Sequence, residues 1–535
     1  MTTLFTNGVL FDGHRCRGAG EVLVDRGRIV HVGLEGLDEL DRRGADVVDL
    51  RGGLLLPGFT DAHVHPIQGG LERLRCDLSE HETREEYLAA IREYADSHPD
   101  LEWILGGGWA MPAFPGGTPT AADLDRVVND RPVFLPNRDH HGAWVNSRAL
   151  EIAGIDEHTP DPPDGRIERD ADGRPSGTLH EGATALVSRH VPRTTGEDYY
   201  AALMAGQSYL HSVGVTSWQD AIVGAYSGMD DPASTYETAA ANGDLRSYVV
   251  GALWWERRLG VEQVADLVGR RETMTGGRFR ATTVKIMQDG VAENHTAAML
   301  SPYLDRCGHP TDNSGHSFLT AEAIRDAVQA LHAADFQVHV HAIGDRGVRE
   351  ALDAFDGLDR RDLRHHIAHL QVVHPEDVRR FAALGVAANM QMLWACLDDQ
   401  MAELTIPFLG EERSRWQYPF ADLARAGARL VAGSDWPVST PDPLQAIQVA
   451  VTRREPGSAG EAFLPEQALT LEQAFAAYTS GSAWANHRDD AGTLAPGAVA
   501  DLVVLDRDPF AGAPEDVGSA RVVSSWIDGS TVYEA

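Results

Sequence analysis

LLLPGFTDAHVH, residues 54–65, is the stretch around which the chain can be read. Leu54-Leu55-Leu56 opens an apolar run of strand length that ends in His63-Val64-His65. Side chains alternate along a strand, so His63 and His65 project from one face. Seven more short apolar segments follow, at 214–220, 246–255, 281–290, 337–345, 365–371, 385–391 and 429–437. Amphipathic stretches such as TAEAIRDAVQALHAAD, residues 320–335, lie between most of them. Strands alternating with helices predict βα units on a parallel sheet. Eight such units predict an α/β fold of the (β/α)8 TIM-barrel type, with its active site at the C-terminal strand ends.

Residues 1–56 and 485–535 do not fit that alternation. Both read as short apolar runs split by Gly, Asp and Asn turns, and neither is long enough for a core of its own. The expectation is one small composite β-sandwich domain built from 1–56 and 485–535, beside a barrel domain spanning 57–484. The first two strands of that barrel are too far apart for an ordinary βα connection. A lobe inserted at about 70–210 is therefore expected over the barrel mouth. It carries its own hairpin signal, GRIERDADGRPSGTL, with Asp172-Gly173 at the turn.

Composition excludes several classes. Hydrophobic residues are 43% and charged residues 24%, the balance of a globular chain and not of a disordered one. Eighty acids against 46 bases give a net charge of −34, which repels nucleic acid and anionic membrane. No apolar run approaches the ~18 residues of a membrane span. Residues 1–16, MTTLFTNGVLFDGHRC, show no basic start followed by an apolar stretch, so no signal peptide is expected and a cytoplasmic location is. Cys16, Cys76, Cys307 and Cys396 lie far apart and read as free thiols.

The chemistry gathers at the predicted strand ends. His63 and His65 close the first strand, Lys285 lies in the fourth, His339 and His341 in the fifth, His369 in the sixth and Asp435 after the eighth. Lys285 is the single lysine among the 46 basic residues. An amine that can be neutral does chemistry that a guanidinium cannot. Burying imidazoles, an amine and a carboxylate together needs a shared partner, and a metal supplies one. Tryptophans add an apolar tone to the mouth. Trp218, Trp254, Trp255, Trp394 and Trp436 follow strands, and Trp109 and Trp144 fall in the inserted lobe. His141, Glu181, Gln288, Asp289 and Asn389 are candidate polar anchors, while Met287, Met390 and Met392 read as core filling.

PGFTDAHVH, VKIMQDG, HVHAIGDR, HIAHLQ, GSDWP and the tail AGTLAPGAVADLVVLD together resemble the amidohydrolase superfamily of metal-dependent hydrolases. Within it, the chain looks like the branch that includes N-substituted formamide deformylases. The resemblance implies that His63, His65 and Asp435 hold one metal and that His341 and His369 hold a second. It implies that Lys285 is carbamylated by CO2 to bridge them, and that Asp435 is the catalytic acid and base. His341 is preferred over His339 because it precedes AIGD as the family pattern does. One or two Zn2+ ions are expected, and other divalent transition metals suit the same ligands.

The expected function is hydrolysis of a non-peptide C–N bond in a neutral, aromatic or apolar N-formyl or N-acyl substrate. Expected substrate contacts are Trp109, His141, Glu181, Asp289, Trp218, Trp394 and Trp436. The expected partner is a small molecule, with neither nucleic acid nor a membrane, and a homodimer is the assembly considered. The rival readings are a cyclic amidase or deaminase on the same fold, an isomerase, and a non-catalytic regulatory relative.

Overall fold

The computed structural model describes residues 2–33, 44–226 and 229–535. Eight parallel strands form the central sheet: β1 (Phe59–Val64), β2 (Val215–Val223), β3 (Tyr248–Trp254), β4 (Phe279–Met287), β5 (Gln337–Ala342), β6 (His366–His369), β7 (Ala387–Met390) and β8 (Leu430–Ala432). They neighbour one another in chain order, as a (β/α)8 barrel requires. The seam between β8 and β1 is closed just past β8, where Asp435 N donates to His63 O (2.8 Å) and His65 N donates to Trp436 O (2.8 Å).

The helices follow their sequence signals. In Ala321–Ala333, Thr320 caps the start by accepting from Ala323 N, and Ile324, Ala327, Val328 and Leu331 form the buried stripe. Asp345–Phe355 buries Val348, Ala351, Leu352 and Phe355 in the same periodicity. These stripes join Phe59, Trp218, Ile286, Val338 and Ile367 in one continuous core. Each such side chain contributes roughly 1.5–3 kcal/mol by leaving water.

The run 54–65, which reads as one strand, is divided between two sheets. Leu54–Pro57 pairs antiparallel with Leu502–Leu505 and parallel with Thr2–Phe11, whereas β1 begins at Phe59. The break falls at Gly58, where a Cβ would overlap Thr216 and the amide donates to Asp501 O. Both chain ends therefore share one sheet, in the order Ser530–Glu534, Val522–Ile527, Leu502–Leu505, Leu54–Pro57, Thr2–Phe11, Cys16–Asp25, Arg28–Gly33. It buries Phe5, Leu10, Val22, Leu55 and Val504.

The long β1–β2 connection contains a six-stranded sheet of its own, running from Cys76–Asp77 to the hairpin Gly165–Arg169 and Pro175–Glu181. It is bracketed by the helices Pro66–Leu74 and Gly196–Ser212, which touch backbone to backbone. A Cβ at Gly70 would overlap Ala202 O, and one at Gly206 would overlap Pro66 O. The hairpin signal at Asp172-Gly173 is met, with Gly173 at φ +83°. Among the described residues no helix is long and apolar enough to cross a membrane, and all four cysteines are free.

Candidate metal centre

β1, β4, β5, β6 and the turn after β8 bring His63, His65, Lys285, His341, His369 and Asp435 to one cavity of about 60 Å³. Asp435 Oδ1 lies 3.2 Å from His63 Nε2 and 2.9 Å from His65 Nε2, and Oδ2 lies 3.7 Å from His369 Nδ1. Lys285 Nζ is 3.4 Å from His63 Nε2. The His341 and His369 rings pack 4.3 Å apart, centroid to centroid. Gly433 makes the approach of β8 to β1 feasible, because a Cβ there would stand 2.6 Å from His63 Cβ.

The backbone is held in unusual conformations at this place. His369 and Asp435 have φ of 80° and 58°, His140 on the same cavity has 61°, and Glu181 beside His141 has 50°. Left-handed backbone at residues with a Cβ costs ~1–3 kcal/mol each and persists where surrounding packing enforces it. Asp61 supplies part of that enforcement, since its carboxylate accepts from His63 N and Ser434 N.

Burial and mutual charge decide the protonation states. His341 and His369 are held well below the ordinary imidazole range by burial, and His63 is pushed down to about 3 by burial and then by Lys285. Burial lowers Lys285 to about 7, with Asp435 opposing it. Burial favours the neutral acid at Asp435, yet His63, His65 and His369 outweigh it and hold the carboxylate well below its usual range. His63, His341 and His369 are thus neutral and Asp435 anionic at neutral pH, the state in which such groups bind metal.

The donor set fits a metal. His63, His369 and Asp435 offer ligand atoms all within 4.8 Å of one another. Both ring nitrogens of His369 are buried with no hydrogen-bond partner. Orphaned buried donors and acceptors of this kind are costly and need a ligand. By contrast, the other candidate group, Asp305, Cys307 and His309, is exposed, and Asp305 already accepts from two backbone amides of its own loop.

Residues 46–533 match the Amidohydrolase family. The chain belongs to that family. It is 28% identical over 539 residues to the N-substituted formamide deformylase of Arthrobacter pascens, covering 96% of this chain and 95% of that one. It is 30% identical over 548 residues to the Arabidopsis thaliana protein LONG AFTER FAR-RED 3, covering 99% and 91%. Among solved structures, an uncharacterized metal-dependent hydrolase of Pyrococcus furiosus superposes with a TM-score of 0.71 at 25% identity, covering 95% of this chain and 100% of that one.

Two further cavities open off the central one of this amidohydrolase. A chamber of about 230 Å³ shares His140, His141, Tyr226 and Met287 with it and adds the apolar Trp254 and Phe318 together with the charged Asp164, Glu181, Glu256 and Arg257. A chamber of about 370 Å³ shares Trp394, Asp139 and Val438 with it and is acidic, with Glu82, Glu293, Asp398 and Glu455 against Arg138. Two histidine–carboxylate pairs come from the inserted lobe and the first helix. His141 Nδ1 lies 3.0 Å from both oxygens of Glu181, and His140 Nε2 lies 2.9 Å from Glu72 Oε1. Burial works against charge on His141, but Glu181 outweighs it and lifts the imidazole to about 9.

The expected substrate contacts divide in two. His141 and Trp394 line the central cavity, Trp394 stacking on His369 at 5.5 Å, and Glu181 lines the neighbouring chamber. Trp109, Trp218, Trp436 and Asp289 do not line it. Trp109 donates to Leu135 O and packs on Phe114 and Trp144 inside the lobe. Trp218 follows the alternation of β2 onto the face opposite Gln219 and is wholly buried in the core. Trp436 lies against Gly69 and Tyr209, between two helices. Asp289 accepts from the amides of Ala298, Ile343 and Gly344 and so fastens the loops after β4 and β5. Gln288 is likewise internal, donating to Leu319 O and Glu350. Met287, read as core, faces the cavity. His140, Glu72 and Tyr226 were not anticipated. His140 carried a signal in the pair His140-His141, whereas Glu72 and Tyr226 carried none.

Proposed function

We propose that this amidohydrolase cleaves a non-peptide C–N bond of an N-formyl or N-acyl amine that carries an aromatic or apolar group. The observation that carries the reading is the convergence of six candidate ligands on a small cavity beside a chamber that sets Tyr226, Trp254 and Phe318 among charged residues. The name of the Arthrobacter relative supports the formamide version. The candidate ligands are His63, His65, Lys285, His341, His369 and Asp435, for one or two divalent metals, with zinc the default for imidazole and carboxylate donors. A metal bound there supplies Lewis acidity, lowering the pKa of water toward about 7 and polarising the carbonyl.

The chain's own groups do the rest. Lys285, pushed down to about 7, has a neutral fraction at physiological pH. Its Nζ lone pair can add to CO2, forming the N–C bond and losing a proton to give a carbamate anion, which arginine cannot do. Asp435 takes a proton from the attacking water as the O–C bond forms, then returns it to the amine nitrogen as the C–N bond breaks. His141, kept cationic by Glu181, donates a hydrogen bond toward the carbonyl oxygen as negative charge develops there. Trp254, Phe318 and Tyr226 suit the apolar half of the substrate.

The test is turnover of N-formyl and N-acyl aromatic amines, lactams and aminated rings by zinc-loaded protein, with Asp435→Asn as control. Amine release from the acyclic amides alone, lost in the control by about 10³-fold or more, supports the reading. Release from lactams or aminated rings only moves it to cyclic amidase or deaminase chemistry. Equal rates in the control remove Asp435 from its role. Silence on every substrate at full metal content favours an isomerase or a regulatory protein.

A further inference from the structure

His339 lies two residues before His341 on β5 and is not spent on the cavity. Its Nε2 is 2.9 Å from His63 Nδ1, and its Nδ1 is 2.7 Å from Gln219 Oε1. Gln219 in turn donates from Nε2 to Gln337 Oε1 at 3.0 Å and to Asn486 Oδ1 at 3.3 Å. Gln337 Nε2 donates to two backbone carbonyls, Arg364 O at 2.8 Å and Ala485 O at 2.7 Å. All the side chains of this row are buried.

The row has one direction. A carbonyl only accepts, so Gln337 must present its amide nitrogen to Arg364 and Ala485 and its oxygen to Gln219. Thr283 Oγ1 also donates to that oxygen, at 2.7 Å. Gln219 must then give its NH2 to Gln337 and turn its oxygen toward His339. His339 carries its proton on Nδ1, which leaves Nε2 as an acceptor for His63 Nδ1–H. A second anchor gives the same answer independently. Asn389 Nδ2 donates to Ala62 O at 2.9 Å and to His366 Nδ1 at 3.2 Å, so His366 is protonated on Nε2 and donates to Gln219 Oε1 at 3.1 Å.

We infer that Gln337, Gln219 and His339 are positioning residues that set the tautomer of His63, leaving its Nε2 lone pair bare toward Asp435 and Lys285 and so preformed for a metal. The inference rests on the proposal that His63 is a ligand and goes beyond it. The direction of the row is set by backbone carbonyls on the far side of the barrel from the cavity. Partners that orient a ligating histidine commonly change metal affinity 10–100-fold when removed.

The test is the zinc dissociation constant, read by competition with a chromogenic chelator, for the full chain and four variants. His339→Leu and Gln219→Met are expected to bind zinc 10–100-fold more weakly. His339→Gln, which restores an acceptor near His63 Nδ1, is expected within about threefold of the parent. His63→Ala calibrates the assay. If it leaves zinc affinity unchanged, the metal-ligand proposal fails. If it weakens binding while His339→Leu does not, or if His339→Gln is as weak as His339→Leu, the positioning role is overturned and His339 only packs. Should a variant fail to fold, ¹⁵N-histidine spectra of the unaltered metal-free protein decide. A protonated Nδ1 on His63, assigned by loss of its signal in His63→Asn, supports the relay, and a protonated Nε2 refutes it.

Discussion

Glu181→Gln is the perturbation that most directly tests the electrostatics of the cavity. The substitution keeps size and lets the amide oxygen go on accepting from Thr296 Oγ1, 3.0 Å away. It removes the charge that stands 3.0 Å from His141 Nδ1. His141 is 7% exposed, so the pair is little screened by water. With Glu181 the imidazole is lifted to about 9, above the ordinary imidazole value of about 6.5. At about 1.4 kcal/mol per unit, the shift corresponds to about 3 kcal/mol of preference for the charged form. At pH 8 roughly nine-tenths of His141 is cationic in the parent and only a few per cent would be in the variant, whose pKa falls to or below the ordinary value. A lost charge-stabilising donor costs about 10²–10³ in kcat at that pH, so the alkaline limb of the pH–rate profile should move from near 9 to below 7.

The same shift acts on stability. The folded-state pKa lies above the unfolded one, so its contribution is fully present below the ordinary imidazole pKa and is lost as pH rises through about 9. Denaturation series at pH 6 and pH 9.5 should therefore differ by about 3 kcal/mol more in the parent than in the variant. An unmoved alkaline limb together with an unchanged stability slope would refute the reasoning and reduce the pair to a structural contact.

Other expectations concern the cluster itself. Lys285→Arg keeps a cation at β4 but cannot present a neutral amine, so bound metal per chain should fall and turnover should drop at least ~100-fold. Unchanged metal content by elemental analysis would mean that Lys285 is no ligand. Gly433→Ala drives a Cβ to 2.6 Å from His63 Cβ and 2.7 Å from His63 N, and should cost about 1–3 kcal/mol in denaturant unfolding and weaken metal binding. Stripping metal with a chelator should lower the melting temperature, and zinc at about 1,000 times its dissociation constant should restore about 4 kcal/mol. A melting temperature indifferent to zinc would argue against a metal at His63, His369 and Asp435.

Much of the barrel was legible in the sequence because its signals are local. Each strand is a short apolar run, a helix such as Ala321–Ala333 carries its own stripe and cap, and alternation along β1 sets His63 and His65 on one face without reference to anything distant. The single lysine stood out by chemistry alone. The boundaries were less legible. The run 54–65 gives no hint that Gly58 hands the chain from one sheet to another, because the reason is Thr216 and Asp501, far away in sequence. Tryptophan position misled for a similar cause. Trp218 lies within β2 and turns into the core, Trp436 follows β8 but packs between two helices, and Trp109 is needed inside the lobe.

The sequence by itself determined the repeating architecture and the list of groups able to bind metal, because periodicity and residue chemistry are properties of short segments. Only the tertiary structure decided that His339, on the same strand as His341, stands behind His63. It also decided that Glu181 pairs with His141 and that Asp289 accepts from the amides of Ile343 and Gly344. Those outcomes depend on hydrogen bonds closed between residues tens to hundreds of positions apart, and no local pattern encodes them.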